Sequence, residues 1–470
     1  MATDFDKYEG MTEETGLCKP VQNACKLCSP LGACLFFKGI ENCVNLIHGS
    51  QGCATYIRRY LISHFREPVD IASTNFSEET AIFGGYRNFY QSIENIIRVY
   101  GPEIIGISST CLSETIGEDI SSFIKNYTKD SGNKEPLFIF ASTPSYAGTH
   151  AEGFHETVLA TVKTLASGDG KFNGINFLPG MLSPADIRHL KDIMADFELN
   201  NIVLPDYSET LDNPTWKTYK RIPEGGTSVE KIRIMGSAKG TIEFGTILNK
   251  GWNTSKTKNI RILSAGEFLE KEMSVKNIQI PIPVGISLTD KFFASLKLLS
   301  AKETPEKYEK ERGRLIDSYI DAHKLLFGKR AIVYGEEDLV VAISAFLAEI
   351  GMIPVVVASG GESNMLKNEL KKVMDVHDDM VIENGMDFEK IRQTAEFTRP
   401  DIIIGNSKGY YISRQLGIPL VRIGFPVHDR IGAQRIMHVG YYGTQQLFDR
   451  IVNALMEYKQ DNSPVGYKYM

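Results

Sequence analysis

The sequence predicts an α/β protein of three Rossmann-like domains, each a mostly parallel sheet flanked by helices. Short β-branched runs alternate along it with longer stretches of helical spacing, as in parallel strands joined by crossover helices. Its 470 residues are about two to three times the length of a typical domain. Its longest apolar runs, AIVYG and VVVAS among them, are strand-sized and far short of the roughly 20 residues that cross a bilayer.

The first clear strand is PEIIGISST at 102–110. It runs into CLSETIGEDISSFIKN, where Ser113 and Glu114 mark a helix start near the strand's carboxyl end, the crevice in which open α/β sheets bind ligands. The strand PLFIFAS, a helix from about 151 to 166, the strand INFLPG, the helix PADIRHLKDIMADF and the strand NNIVLPD follow. Residues 206–230, rich in Pro, Gly and Asp, form a loop region, beyond which NIRILS and VKNIQIPIPVGI supply strands. The charged segment 303–327 is expected as a long helix bridging domains. KRAIVYG, a helix from about 337 to 350, MIPVVVASGG, a helix, DDMVIE, a helix, RPDIIIGNS and IPLVRIGF make the last unit. The domains expected are 1–168, cysteine-rich at its start, 169–300, and 301–470 with a C-terminal helix.

Hydrophobic residues make up 42% and charged residues 23%, the balance of a soluble globular chain rather than a disordered or fibrous one. A net charge of -6 leaves no broad basic surface, so a small-molecule or protein partner is expected, with no nucleic acid and no membrane. The start, MATDFDKYEGMTEETG, is acidic and polar where a signal peptide needs a basic start and an apolar stretch, so a cytoplasmic location is expected.

Seven cysteines stand at 18, 25, 28, 34, 43, 53 and 111, with none beyond. In a reducing compartment such clustering points to metal binding or thiol chemistry rather than disulfides. Cys28, Cys53 and Cys111 each adjoin a Gly, a Pro or a strand end. Thiolates are soft, charged donors suited to iron, and backbone amides at turns can hydrogen-bond cluster sulfides. Three thiolates are too few for a self-contained four-thiolate cluster, and a partner chain could supply the rest. Cys25-x-x-Cys28 also reads as half of a zinc knuckle, whose second half is missing. As a dithiol redox pair it should open a helix after a first strand, whereas it precedes Ser-Pro and Gly. Cys18, Cys34 and Cys43 read as small buried hydrophobes. The glycines of VYGEED and ASGGES read as tight turns after strands, since neither fits a phosphate-binding loop, and no nucleophile elbow or zinc-protease helix is present.

The strings CSPLGA (28–33), HGSQGC (48–53), HFREP (64–68), FGG (83–85), STCLSETIGED (109–119), TPSYAGTH (143–150), EGGT (224–227), ERGRLID (311–317) and RIGFPVHDR (422–430) resemble, in this order, β-type subunits of nitrogenase component 1. The resemblance runs from about residue 25 to 455. It implies three Rossmann-like domains and an iron–sulfur cluster, P-cluster-type or four-iron, at the interface with an α-type partner. Two such heterodimers would form a four-chain assembly served by an ATP-dependent iron protein. In the catalytic β subunits the matching cysteines bind one half of the double-cubane P-cluster, and the serine of the T-P-S motif adds an oxygen ligand on oxidation. By position these are Cys28, Cys53, Cys111 and Ser145.

The family's other β branch is the N subunit of the scaffold that matures the iron–molybdenum cofactor. The C-K-x-C-x-P-x-G-A opening, the short N-terminus and the end pattern GFPVHDRIGAQ…VGYYGTQQL resemble scaffold chains, whereas the complete cysteine set resembles the catalytic ones. The sequence reading places the assembly scaffold first and the catalytic β subunit, in a nitrogenase or nitrogenase-like reductase, as its alternative. Arg66 and Glu67 match an Arg-Glu pair beside a mononuclear metal at the β–β contact of catalytic enzymes; lacking the aspartates that complete that site, they read as a surface or interface ion pair. His48 and His64 read as hydrogen-bond partners of backbone rather than metal ligands.

Overall fold

The computed structural model describes residues 24–132, 136–248 and 263–465. Three sheets, parallel throughout, are flanked by helices. In the first, β1 (Cys43–His48), β2 (Ala72–Ser73), β3 (Ile104–Ser109) and β4 (Leu137–Ala141) lie in the order β2-β1-β3-β4. In the second, β5 (Ile175–Leu178), β6 (Asn201–Val203), β7 (Thr241–Phe244) and β8 (Asn277–Ile280) lie in the order β6-β5-β7-β8. The third holds β9 (Arg330–Gly335), β10 (Ile353–Ser359), β11 (Val381–Glu383), β12 (Ile402–Gly405) and β13 (Leu420–Arg422) in the order β11-β10-β9-β12-β13. Helices cover both faces, so β1 and β3 are buried along their whole length, which is why β3 reads as a continuous apolar run.

One hydrophobic cluster runs through all three sheets, taking Ile104 and Ile139 from the first, Ile175 and Ile242 from the second, and Ala331 and Val333 from the third. The expected bridging helix is Glu306–Leu326; its Tyr308 hydroxyl donates to Asp196 and its Arg312 clamps Asp290, tying it to the elements around the second sheet. The helix expected through CLSETIGEDISSFIKN is two, Cys111–Thr115 and Ile120–Ser131, because the chain turns at Gly117 with φ +78. Of the strand expected at NIRILS (259–264), residues 259–262 lie outside the described residues, as does Cys18. Among the described residues no helix is long and apolar enough to cross a membrane.

The helix Ser29–Phe37, which the sequence did not reveal, positions the cysteine region. It is buried on every side, so it carries no amphipathic stripe. It meets β3 at Gly106, where an added Cβ would lie 2.3 Å from the Phe37 ring. It crosses the helix His150–Leu165 at two glycines: a Cβ on Gly32 would lie 1.8 Å from the His150 carbonyl oxygen, and one on Gly153 2.1 Å from that of Ser29. Backbone therefore touches backbone, and the start of one helix is fixed against the start of the other.

Candidate functional site

The carboxyl ends of β1, β3 and β4 form one edge of the first sheet, with His48 of β1 in register with Ser109 of β3. The loops leaving that edge carry Cys53, Cys111 and Ser145. Polar groups pin them to one another: the Thr110 hydroxyl donates to the His48 carbonyl at 3.1 Å, the Thr143 hydroxyl donates to the Ser109 carbonyl at 2.9 Å, and the Thr143 amide donates to the Ser109 hydroxyl at 2.8 Å. Glu114 accepts from the hydroxyls of both Ser109 and Ser142. Each bond ties neighbouring strand ends or the short helix behind them, so the loops are held in register.

Each of the three cysteines sits where a helix begins. Cys28 is the N-cap of Ser29–Phe37, Cys53 lies in the first turn of Gln51–Phe65, and Cys111 is the first residue of Cys111–Thr115, capped by Thr110 and Ser113. A helix start presents free backbone N–H groups and the positive end of the dipole, an environment that favours anions. That Cys28 opens a helix runs against the expectation for a cysteine ahead of Ser-Pro and Gly; proline is well suited to the first helical turn, where it loses no hydrogen bond.

Ser145 joins the cysteine loops. Its hydroxyl accepts from the Ser29 amide at 3.2 Å, and its own amide donates to the Cys111 sulfur at 3.2 Å. Cys28 pairs as an isolated bridge with Thr149, the His150 amide donates to the Leu27 carbonyl at 3.0 Å, and the Leu27 amide donates to His150 Nδ1 at 3.4 Å. With Nδ1 accepting, the proton lies on Nε2, which donates to Glu336 of the third unit at 3.2 Å. The Ser50 hydroxyl donates to the Cys53 sulfur at 3.5 Å.

The described cysteines fall into two classes. Cys28 and Cys53 are exposed and Cys111 is half-buried, whereas Cys25, Cys34 and Cys43 are buried, with thiols pushed up to about 12 by desolvation. Cys34 and Cys43 are the buried hydrophobes expected. Cys25, three residues before Cys28, belongs instead to the core of the third sheet with Tyr334 and Ile332. The Cys-x-x-Cys spacing thus joins one surface thiol to one core thiol. Large apolar side chains stand exposed beside the site: Tyr56 at 59%, Leu112 at 39% and Tyr146 at 65%.

His64 is the backbone partner expected, accepting from the Val427 amide at 2.8 Å, and burial holds its pKa down to about 3. His48 is not. It is buried among Phe76, Phe89 and Phe123, and its Nε2 lies 3.1 Å from Glu118, whose other oxygen accepts from the Gly85 amide at 2.9 Å. Desolvation lowers the His48 pKa despite that carboxylate.

Arg66 and Glu67 make backbone contacts within this chain. Arg66 donates to the His428 carbonyl, Glu67 accepts from the Asn213 amide at 3.0 Å, and neither is in an ion pair among the described residues. The neighbouring Asp212 is taken by Arg188 and Arg435. Among the described residues no three His, Cys, Asp or Glu side chains converge on a single ion.

The sequence reading missed His150, Ser29 and the paired glycines at 32 and 153. The Thr149-x-x-Glu152 capping box, formed in the structure, was a readable sign that a helix begins beside Ser145.

The family described as nitrogenase component 1 type oxidoreductase matches residues 28–456. The nitrogenase molybdenum-iron protein beta chain of Clostridium pasteurianum is 35% identical over 447 residues, 93% of either chain. Its counterpart in Methanothermobacter thermautotrophicus is 35% identical over 93% of this chain and 94% of the other, and that of Azotobacter vinelandii 33% identical over 93% and 84%. A chain of the structure described as "Nitrogenase Cp1 at pH 6.5" superposes with a TM-score of 0.90 at 33% identity, covering 97% of this chain and 98% of that one. A chain from "Nitrogenase Cp1 at pH 5", at 17% identity and a TM-score of 0.69, shares the fold.

Proposed function

Because the chain belongs to the nitrogenase component 1 family, as a β-type subunit, we propose that Cys28, Cys53 and Cys111 hold one side of an iron–sulfur cluster at the interface with an α-type partner. The observation that carries this reading is the division of the thiols: Cys28 and Cys53 are exposed and Cys111 half-buried, with Ser145 tied to the Cys28 and Cys111 segments, while Cys25, Cys34 and Cys43 are committed to cores. The donor set fits such a group. Thiolates suit iron, and the Ser145 amide donates to a sulfur in the manner that tunes cluster potentials. When bound, such a cluster stores and passes single electrons.

The chain's own part is to hold the sulfurs, set their hydrogen bonds and keep water away. Tyr56, Leu112 and Tyr146 form an apolar surround suited to burial under the partner, which supplies the remaining ligands. Two such heterodimers make the assembly, and an ATP-dependent iron protein delivers the electrons.

Between the family's two β roles, the reductase subunit is preferred here. Ser145 is held from both sides, by the Ser29 amide and through its own amide by Cys111, so an oxygen donor stands ready among sulfur donors. That suits a cluster whose ligands change with oxidation state. The features that favoured the assembly scaffold serve the fold: Cys25 packs in the third core, Lys26 pairs with Glu362, and Asp429 of the end pattern clamps Arg422.

The test is purification with the α-type partner, followed by dye oxidation and electron paramagnetic resonance. A double-cubane signal that alters in Ser145→Ala, together with reduction of acetylene in the presence of iron protein and ATP, is the expected result. A four-iron signal alone, with transferable cofactor and little substrate reduction, would assign the scaffold role to the same residues.

A further inference from the structure

A groove of about 580 Å³ opens between the edge strand β13, the loop 430–437 and the helix Gly440–Asp461. It is far in sequence from the cysteine loops and no part of the cluster reading uses it. Its walls carry Arg422, Arg430, Arg435 and Arg450, an unusual concentration for a chain of net charge -6.

The acidic partners available to these groups are few: Glu457 is the one carboxylate in the wall itself, against four arginines. Asp429 is gripped by Arg422, with Nε to Oδ1 at 2.9 Å and Nη2 to Oδ2 at 2.6 Å, and also lies 3.5 Å from Arg430. Asp212 is shared by Arg435 and Arg188. Arg450 pairs with no carboxylate among the described residues; its guanidinium donates to the backbone carbonyl of Arg422. Burial and the adjacent Arg422 charge both act to lower its pKa, so Arg450 is a desolvated cation facing another cation.

We propose that this groove binds a small oxyanion carrying at least two negative charges, a di- or tricarboxylate or a phosphate ester, with Arg450 and Arg430 as its principal contacts. Arginine's planar fork matches carboxylate and phosphate in bidentate geometry, and the volume lies in the range of small-molecule sites. The edge strand does not invite a peptide strand instead. Its carbonyls at Leu420 and Arg422 already accept from Arg422 Nη1 and Arg450. Tyr442 and Asn453 add neutral polar groups along the wall.

The test is calorimetric titration of the protein, co-purified with its α-type partner, with citrate, pyrophosphate and acetate in low-chloride buffer. Saturable binding of citrate or pyrophosphate at one site per β chain, and none of acetate, is expected; the two arms separate carboxylate from phosphate recognition. Arg450→Gln should weaken that binding at least tenfold. Arg430→Gln, at a side chain exposed enough to leave folding untouched, should weaken it severalfold. Absence of binding by both polyanionic probes, or affinities unchanged in both variants, overturns the proposal.

Discussion

Replacing Gly32 by Ala tests the backbone contact on which the cysteine region rests. The new Cβ would lie 1.8 Å from the His150 carbonyl oxygen and 2.5 Å from the Phe154 nitrogen, both backbone atoms that cannot rotate aside. Restoring even 3.0 Å to that oxygen requires 1.2 Å of separation between the helices Ser29–Phe37 and His150–Leu165. Overpacking of this kind costs about 1–3 kcal/mol or more, and the better helix propensity of Ala returns only about 1 kcal/mol. A net loss of about 2 kcal/mol is expected, with a looser Ser29 to Ser145 hydrogen bond. Gly313, in the helix Glu306–Leu326, meets nothing within 4 Å and is the control: Gly313→Ala should stabilise by up to about 1 kcal/mol. Urea unfolding of the co-purified complex gives both signs, and iron content reports on the cysteine loops. If Gly32→Ala unfolded at the same urea concentration as Gly313→Ala, the close-crossing argument would be wrong.

Other outcomes follow from the same geometry. In the folded chain freed of cluster by chelation, Cys28 and Cys53 should be alkylated by iodoacetamide at pH 8 well before Cys25, Cys34 and Cys43, whose burial pushes their thiols up to about 12; peptide mass mapping reads the order. Cys34→Ala should keep its iron and lose only about 1 kcal/mol in urea unfolding, the scale of a small cavity. Burial raises Glu337 to about 7, so the folded state holds its proton longer than the unfolded chain, and its contribution is present at low pH and lost as pH rises through 7. Glu337→Gln should therefore gain stability over the parent between about pH 5 and 8, by at most about 3 kcal/mol, and a constant difference across that range would refute it. His64, whose pKa burial lowers to about 3, works in the opposite sense below pH 6.5 and cancels in that comparison.

What the sequence made legible depended on how each element is buried. β3, β10 and β12 announced themselves because a strand covered on both faces is a continuous apolar run between turns. The helix Ser29–Phe37 was invisible for the same physical reason: buried on every side, it has no polar face to give it a period. β1, with its apolar CVNLIH, was lost in the cysteine-rich stretch that precedes the first recognised strand. For the site, motif order brought out Cys28, Cys53, Cys111 and Ser145; the structure sets the last three at one edge of the first sheet and ties the Cys28 segment to Ser145 and Thr149. Spacing alone could not separate Cys25 from Cys28, because which thiol enters the third core is decided by residues more than 300 positions away, Tyr334 and Ile332 among them. Arg66 and Glu67, adjacent in sequence, look like one feature yet serve two different backbone contacts, since Arg66 takes a left-handed conformation at the helix end, with φ 62.

The central claim, that the three accessible cysteines and not the buried ones hold a shared iron–sulfur cluster, is tested most directly by iron and acid-labile sulfide analysis of four preparations. These are the chain alone, the complex with its α-type partner, and the complexes carrying Cys53→Ala or Cys34→Ala. The account predicts stoichiometric iron and sulfide in the parent and Cys34→Ala complexes, and little in the Cys53→Ala complex or the isolated chain. Equal iron in the Cys53→Ala and Cys34→Ala complexes, or a full cluster on the isolated chain, would contradict it.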